Sequence, residues 1–136
     1  GSQCVVVGID SLRDADGRWR VRSHTGDPDK TRQLGVLSLD WLQEAQSRGA
    51  GEIVLNCMAS DGTRDGYDIE QLTAARAVCD VPLSASGGAG TALHFIDVFQ
   101  ACDVDGALAA SVFHKNILPV PALKRELAQH GIPVRL

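Results

Sequence analysis

Four short apolar runs of this 136-residue chain each hand over to a polar side chain or to bare main chain. Asp10 follows "QCVVVGI", and Asn56-Cys57 closes "EIVLNC". Ser86-Gly87-Gly88 follows the run that opens at Val81-Pro82, and Ala110-Ser111 follows "DGALA". Gathered in one place, these give a carboxylate, an amide, two hydroxyls and several backbone amides with little side chain around them. A carboxylate there is a candidate general acid or base. An aspartate that caps a helix or closes a turn sits there equally well, and position alone does not choose.

The stretch "SASGGAG" carries a second kind of chemistry. Glycine lets a ligand approach the main chain, because no Cβ stands in the way. A helical pattern begins at Thr91, so its N-terminal N–H groups and positive dipole end face the same place. Gly87, Gly88 and Gly90 thus read as an anion seat, best suited to phosphate. A lone Gly-Gly is often only a tight turn. The pairing with "ASVF", where Ser111 offers a hydroxyl and another N–H, favours the phosphate reading.

"SDGTRDGYD" holds Asp61, Asp65 and Asp68 but lacks the acidic twelfth position of a calcium loop. Asp68 reads as a helix cap. Asp61 is a second candidate acid/base group, and Gly62 and Gly66 suit a mobile loop over a ligand. His24, His94, His114 and His130 are dispersed with no i,i+4 pair, so no metal site is expected. Neither a nucleophile elbow nor a nucleotide-binding P-loop occurs, and no cofactor is implied.

These positions need elements to hold them. The β-branched run Gln3–Ile9 reads as a strand buried on both faces. "DADGRWRVRS" reads as a small hairpin closed by "HTGDP", inserted at about residues 14–27. Helical spacing then predicts a helix from Ser38, as N-cap, to Ser47, with Gly49 just past its end. The remainder reads as strand 52–57, helix 68–78, strand 81–85, helix 91–101, strand 105–110 and helix 120–129. Strand-helix alternation of this kind demands a parallel sheet with right-handed crossovers. Two architectures remain open: a small doubly wound sheet, or half of an eight-stranded barrel whose full length is ~250 residues. In both, ligands sit at the carboxyl ends of the strands.

Composition narrows the classes. A formal net charge of −4 and only 4% aromatic residues give no footing for nucleic acid or an anionic membrane. No apolar run approaches the ~18 residues of a membrane span, and no signal peptide precedes Cys4. The cysteines Cys4, Cys57, Cys79 and Cys102 form no C-x-x-C pair and read as buried thiols of a reducing compartment. The cytoplasm is the expected location.

Taken in order, "QCVVVGID", "TGD", "RGAGEIVLN", "DGTRDGYD", "VPLSASGGAG" and "DGALAASVFH" resemble the C-terminal half of the cyclase subunit of imidazole glycerol phosphate synthase. The likeness covers essentially the whole chain, and "RGAGEI", "ASGGAG" and "ALAASVFH" are highly specific to that family. It implies an α/β fold, a (β/α)4 half of a (β/α)8 barrel with one inserted hairpin. The 136 residues are then one unit holding strands five to eight.

The resemblance implies a reaction of histidine biosynthesis. Ammonia from a partner glutaminase converts a phosphoribulosyl-formimino carboxamide nucleotide into imidazole glycerol phosphate and an aminoimidazole carboxamide ribotide. Asp10 matches one of the family's two acid/base aspartates; the other belongs to the first barrel strand and has no counterpart here. The phosphate seat maps onto Gly87, Gly88, Ala110 and Ser111, with Asp61 and Gly62 nearby. Asn56 matches a substrate-facing position, and Glu52 a charged gate position near the barrel base. A different class of reading is a catalytically inactive, phosphate-binding half-barrel scaffold that self-associates. A homodimer closing a barrel is expected on either. A free-standing doubly wound domain of response-regulator size fits less well, because Asp10 has no adjacent acid and Lys115 lies several residues past the last strand.

Overall fold

A computed structural model describes residues 1–136. A 3-10 turn at Ser2–Cys4 leads into β1 (Val6–Arg13), β2 (Trp19–Ser23), β3 (Arg32–Leu37) and α1 (Ser38–Ser47). There follow β4 (Glu52–Cys57), α2 (Ile69–Val78), β5 (Leu83–Ser86), α3 (Ala92–Cys102), β6 (Gly106–Leu108), the single turn α4 (Ser111–His114) and α5 (Val120–Gln129). One six-stranded sheet has the order β3-β2-β1-β4-β5-β6. β1, β4, β5 and β6 are parallel, and the excursion β1-β2-β3 is antiparallel. No helix is long and apolar enough to cross a membrane.

The parallel register sorts the side chains into two faces, because alternate residues of a strand point to opposite sides. The rows Val7-Ile53-Leu83 and Ile9-Leu55-Ala85-Ala107 share one face. There Ile9, Ile53, Leu55, Leu83 and Ala85 are at most 1% exposed, packed with Leu42, Leu72, Phe95 and Leu123 of the helices. Gly8-Val54-Ser84-Gly106 and Asp10-Asn56-Ser86-Leu108 form rows on the other face. On that side Val6 is 52% and Leu108 45% exposed. A doubly wound sheet would cover both faces with helices. Here α1, α2, α3 and α5 pack side by side on one of them, which is the arrangement of a half-barrel.

This asymmetry corrects the reading of the first strand as buried on both faces. Val6, which points to the second face, is half-exposed, since its β-branched side chain meets no layer there, and Val5 is half-exposed where it precedes the strand. The strand also begins at Val6 rather than Gln3 and continues past Asp10, because Asp10–Arg13 pairs with Trp19–Arg22. Asp10 therefore stands near the top of the parallel part and not at the strand end. The hairpin does not close at "HTGDP"; the chain returns along β2 as β3, up to Leu37.

The helices at Ser38–Ser47 and Val120–Gln129 lie as their periodicity predicts, and Asp68 caps α2 by accepting from the Gln71 N–H at 3.0 Å. Ser38 is not the N-cap of α1; Leu37 is. Its hydroxyl lies instead 2.6 Å from the buried Ser11 hydroxyl, which also accepts from the Gln71 amide. That buried trio ties α1 and α2 to β1, and each bond contributes about 1 kcal/mol. Cys57, Cys79 and Cys102 are buried free thiols whose pKa values burial pushes up, whereas Cys4 is exposed, contrary to expectation.

Candidate functional site

Asp10 and Asn56 are neighbours across the parallel ladder. The Asn56 side-chain amide donates to Asp10 Oδ1 at 2.9 Å, and the Thr25 hydroxyl donates to Oδ2. Both carboxylate oxygens are thus oriented, and each keeps a lone pair free. Thr25 reaches Asp10 from the turn beyond β2. Its arm is braced by Asp14, which accepts from Arg20 at 3.0 Å, from Gln33 at 2.6 Å and from Arg22. Asn56 therefore holds the carboxylate as well as lining the mouth. Thr25 carries no local signal of this role; "TGD" reads as the end of a hairpin and as part of the family resemblance, with no task assigned to Thr25.

A cleft of about 240 Å³ opens beside this pair, between the 58–68 loop, the β5–α3 turn and the β6–α4 turn. It brings together Asp61, Gly62, Gly87, Gly88, Ala110 and Ser111, as their types suggest, and adds Arg64. The backbone N–H groups of Gly62, Gly87, Gly88, Ala89 and Ala110 donate to no backbone acceptor of the chain. Five residues lining one cleft, from three loops, thus carry amides with their hydrogen-bonding capacity unspent. The N–H of Gly90 differs, being held by His94 Nδ1 at 3.0 Å, and so drops out of the expected seat.

The glycines have a further cause besides ligand access. Gly87 and Gly88 have φ of +97° and +113°, a region costly for residues with a Cβ. A Cβ on Gly88 would lie 1.9 Å from the Gly66 carbonyl oxygen, and one on Gly87 2.8 Å from that of Cys57. The 58–68 loop packs directly on the turn, clasped by the Gly66 N–H donating to the Gly88 carbonyl at 2.8 Å. Tyr67, within the same loop, donates its hydroxyl to the Leu108 carbonyl at 2.8 Å and meets Phe95 edge-on, with burial raising its pKa. Phe95 in turn packs on Phe113 of α4. One aromatic cluster thereby fixes all three walls of the cleft.

Asp10, Asn56, Ser86 and Leu108 form one row across the mouth. Strand spacing puts Asp10 about 10 Å from Ser86, the near edge of the cleft. An anion in the cleft can therefore present atoms several bonds away to the Asp10 carboxylate. Asp61 stands in the cleft wall and is exposed. Glu52 lies at the opposite end of β4, accepting from the Ser84 hydroxyl at 2.9 Å, far from this chemistry.

Comparison with known proteins converges on one group. The family model described as "Histidine biosynthesis protein" matches residues 1–119. The chain is 66% identical over 135 residues to imidazole glycerol phosphate synthase subunit HisF of Xylella fastidiosa strain M12, covering 99% of this chain and 52% of that protein. It is 64% identical over 135 residues to the subunit of the same name from Xanthomonas euvesicatoria pv. vesicatoria, with the same coverage. The chain spans about half the length of these relatives.

Proposed function

The chain belongs to the histidine biosynthesis protein family, and from that premise we propose that it forms the Asp10-bearing half of a cyclase barrel. In this reading the half-barrel is one functional unit of 136 residues. Its cleft seats one phosphate of an extended phosphorylated substrate, and Asp10 moves a proton on the part of that substrate that lies over the sheet. The observation that carries the reading is a set of five uncommitted backbone N–H groups lining a cleft two strands along the same row from a doubly oriented carboxylate.

The chemistry follows from the parts. Neutral backbone donors on a rigid scaffold bind phosphate oxygens without reorganising. Fixing that end converts delivery of the reacting atoms to Asp10 into an intramolecular event. Asp10, with Thr25 and Asn56 each donating to one oxygen, can accept a proton and return it while its orientation is kept. The reaction proposed is the family's: nitrogen from ammonia, supplied by a glutaminase partner, closes the imidazole ring and releases the ribotide. The second aspartate of that reaction, and the seat for the substrate's other phosphate, match no residue here.

Inorganic phosphate titrated into the chain and followed by amide NMR tests the seat. The Gly88 and Ala110 resonances are expected to move first and furthest. Largest shifts at any other cluster would overturn the assignment.

Closure of the barrel is the remaining part of the proposal. β2 pairs only with Asp10–Arg13, so Val6–Ile9 keeps an unpaired edge, as does the outer side of β6. Such edges, beside a half-exposed apolar face, recruit complementary strands. For the chain by itself a two-fold pair is the simplest arrangement. Light scattering at micromolar concentration is expected to give twice the monomer mass of 14.4 kDa; a stable monomer would refute the closure. The cytoplasm, where free thiols persist, is the compartment that fits three buried unpaired cysteines.

A further inference from the structure

Arg64 is the cation in the wall of the cleft, and nothing in its sequence surroundings assigns it a task. The wall carries one carboxylate, Asp61, and otherwise neutral residues. Arg64 takes part in none of the chain's ion pairs. It stands at φ +59°, in the left-handed region, between two glycines of the same loop, Gly62 and Gly66, that also have positive φ. Glycine would occupy that conformation at no steric cost, whereas arginine does so under strain.

The strain is locked by packing and not by the side chain's own contacts. The Arg64 carbonyl oxygen lies 2.2 Å, and its Cβ 2.9 Å, from the point a Cβ on Gly90 would occupy. The backbone is thus pressed against the approach to α3, while Arg64 lines the cleft with its guanidinium in no ion pair. His24, Asp103 and Asn116 also have positive φ, but Arg64 is the one of the four that lines the cleft, and strained backbone clusters at ligand sites.

We propose that Arg64 is the charged element of the phosphate seat, matching the double negative charge of a phosphomonoester that backbone amides alone cannot neutralise beside Asp61. The inference rests on the phosphate reading of the cleft given above. Its chemistry is a guanidinium fork donating to two phosphate oxygens, with the amides of Gly88 and Ala110 holding the rest. The positive charge also offsets the repulsion that the Asp61 carboxylate exerts on a bound anion. The cleft is accordingly selective for a dianionic monoester over a singly charged diester or carboxylate.

The test titrates inorganic phosphate into the full chain at fixed ionic strength, with amide NMR as readout. Arg64→Ala is expected to weaken phosphate about tenfold, the scale of one charge-assisted hydrogen bond. Arg64→Lys should keep part of the affinity, since it supplies charge without the fork. Arg64→Gly should weaken phosphate as much as Arg64→Ala does, yet unfold at a higher temperature than Arg64→Ala, because glycine relieves the φ. That pairing separates lost binding from a damaged loop. Equal phosphate affinity in wild type and Arg64→Ala, with Gly88 and Ala110 still shifting, would overturn the role of Arg64 and leave the seat standing. No shift at Gly88 and Ala110 in the wild-type chain would overturn both.

Discussion

Asp10→Asn lowers cyclase turnover by about 10²–10⁴-fold, the usual loss of a general acid/base, with little change in KM. The assay uses a chimera in which this chain replaces the matching half of the Xylella fastidiosa relative, with ammonia as nitrogen donor. The substitution keeps shape and size while removing a group that can gain and lose a proton at working pH. Its hydrogen bonds survive by simple turns of the neighbours. Only the partner of the new amide nitrogen must change: either the Asn56 side chain flips to present its oxygen, or the Thr25 hydroxyl rotates to accept instead of donate. Fold and phosphate binding should therefore match the parent, because the cleft begins two strands away at Ser86 and shares no hydrogen bond with Asp10. Turnover within a few-fold of the parent would remove Asp10 from the chemistry. A rise in KM at constant turnover would instead make it a binding group.

How much of this could be read beforehand varies by residue. β4, α1 and α5 stand where the sequence pattern places them, since each presents one apolar stripe to one core. β3 is different. Its residues are almost all exposed and show no inward-outward alternation; pairing with β2 alone makes it a strand. Val6 belongs to a run with the composition of a doubly buried strand, but only one face of this sheet is covered by the chain itself and Val6 points to the other. Ser38 has the type and place of a cap, yet a partner 27 residues away claims its hydroxyl.

The candidate site divides along the same line. Asn56, Gly87, Gly88, Ala110 and Ser111 are legible because the carboxyl ends of parallel strands share one rim, and Asp10 joins them because the parallel part of β1 ends beside it although the strand runs on. Thr25 and Arg64 are not, because one depends on the reach of an irregular turn and the other on a backbone conformation. Neither property follows a period.

Gly88→Ala should abolish phosphate binding and destabilise the chain by about 3 kcal/mol, at the upper end of single-residue effects. Two costs act at once. The φ of +113° is unfavourable for any residue with a Cβ, and that Cβ would sit 1.9 Å from the Gly66 carbonyl oxygen. Backbone has no rotamer with which to step aside, so the 58–68 loop must lift and break the Gly66–Gly88 hydrogen bond. Lifting it carries Gly62 and Arg64 away from the amides of the β5–α3 turn, and the cleft loses one wall. Gly17→Ala separates the two costs, since Gly17 has φ +80° with nothing within 4 Å of an added Cβ. It should cost only the conformational part, about 1–2 kcal/mol, and leave phosphate affinity untouched. Chemical denaturation of the two variants, with phosphate titrations in parallel, checks the pair. If Gly88→Ala behaves like Gly17→Ala in both measurements, the loop is free to yield and is no wall of the site. If it loses phosphate and the larger share of stability together, the bare glycine serves the clasp that builds the cleft.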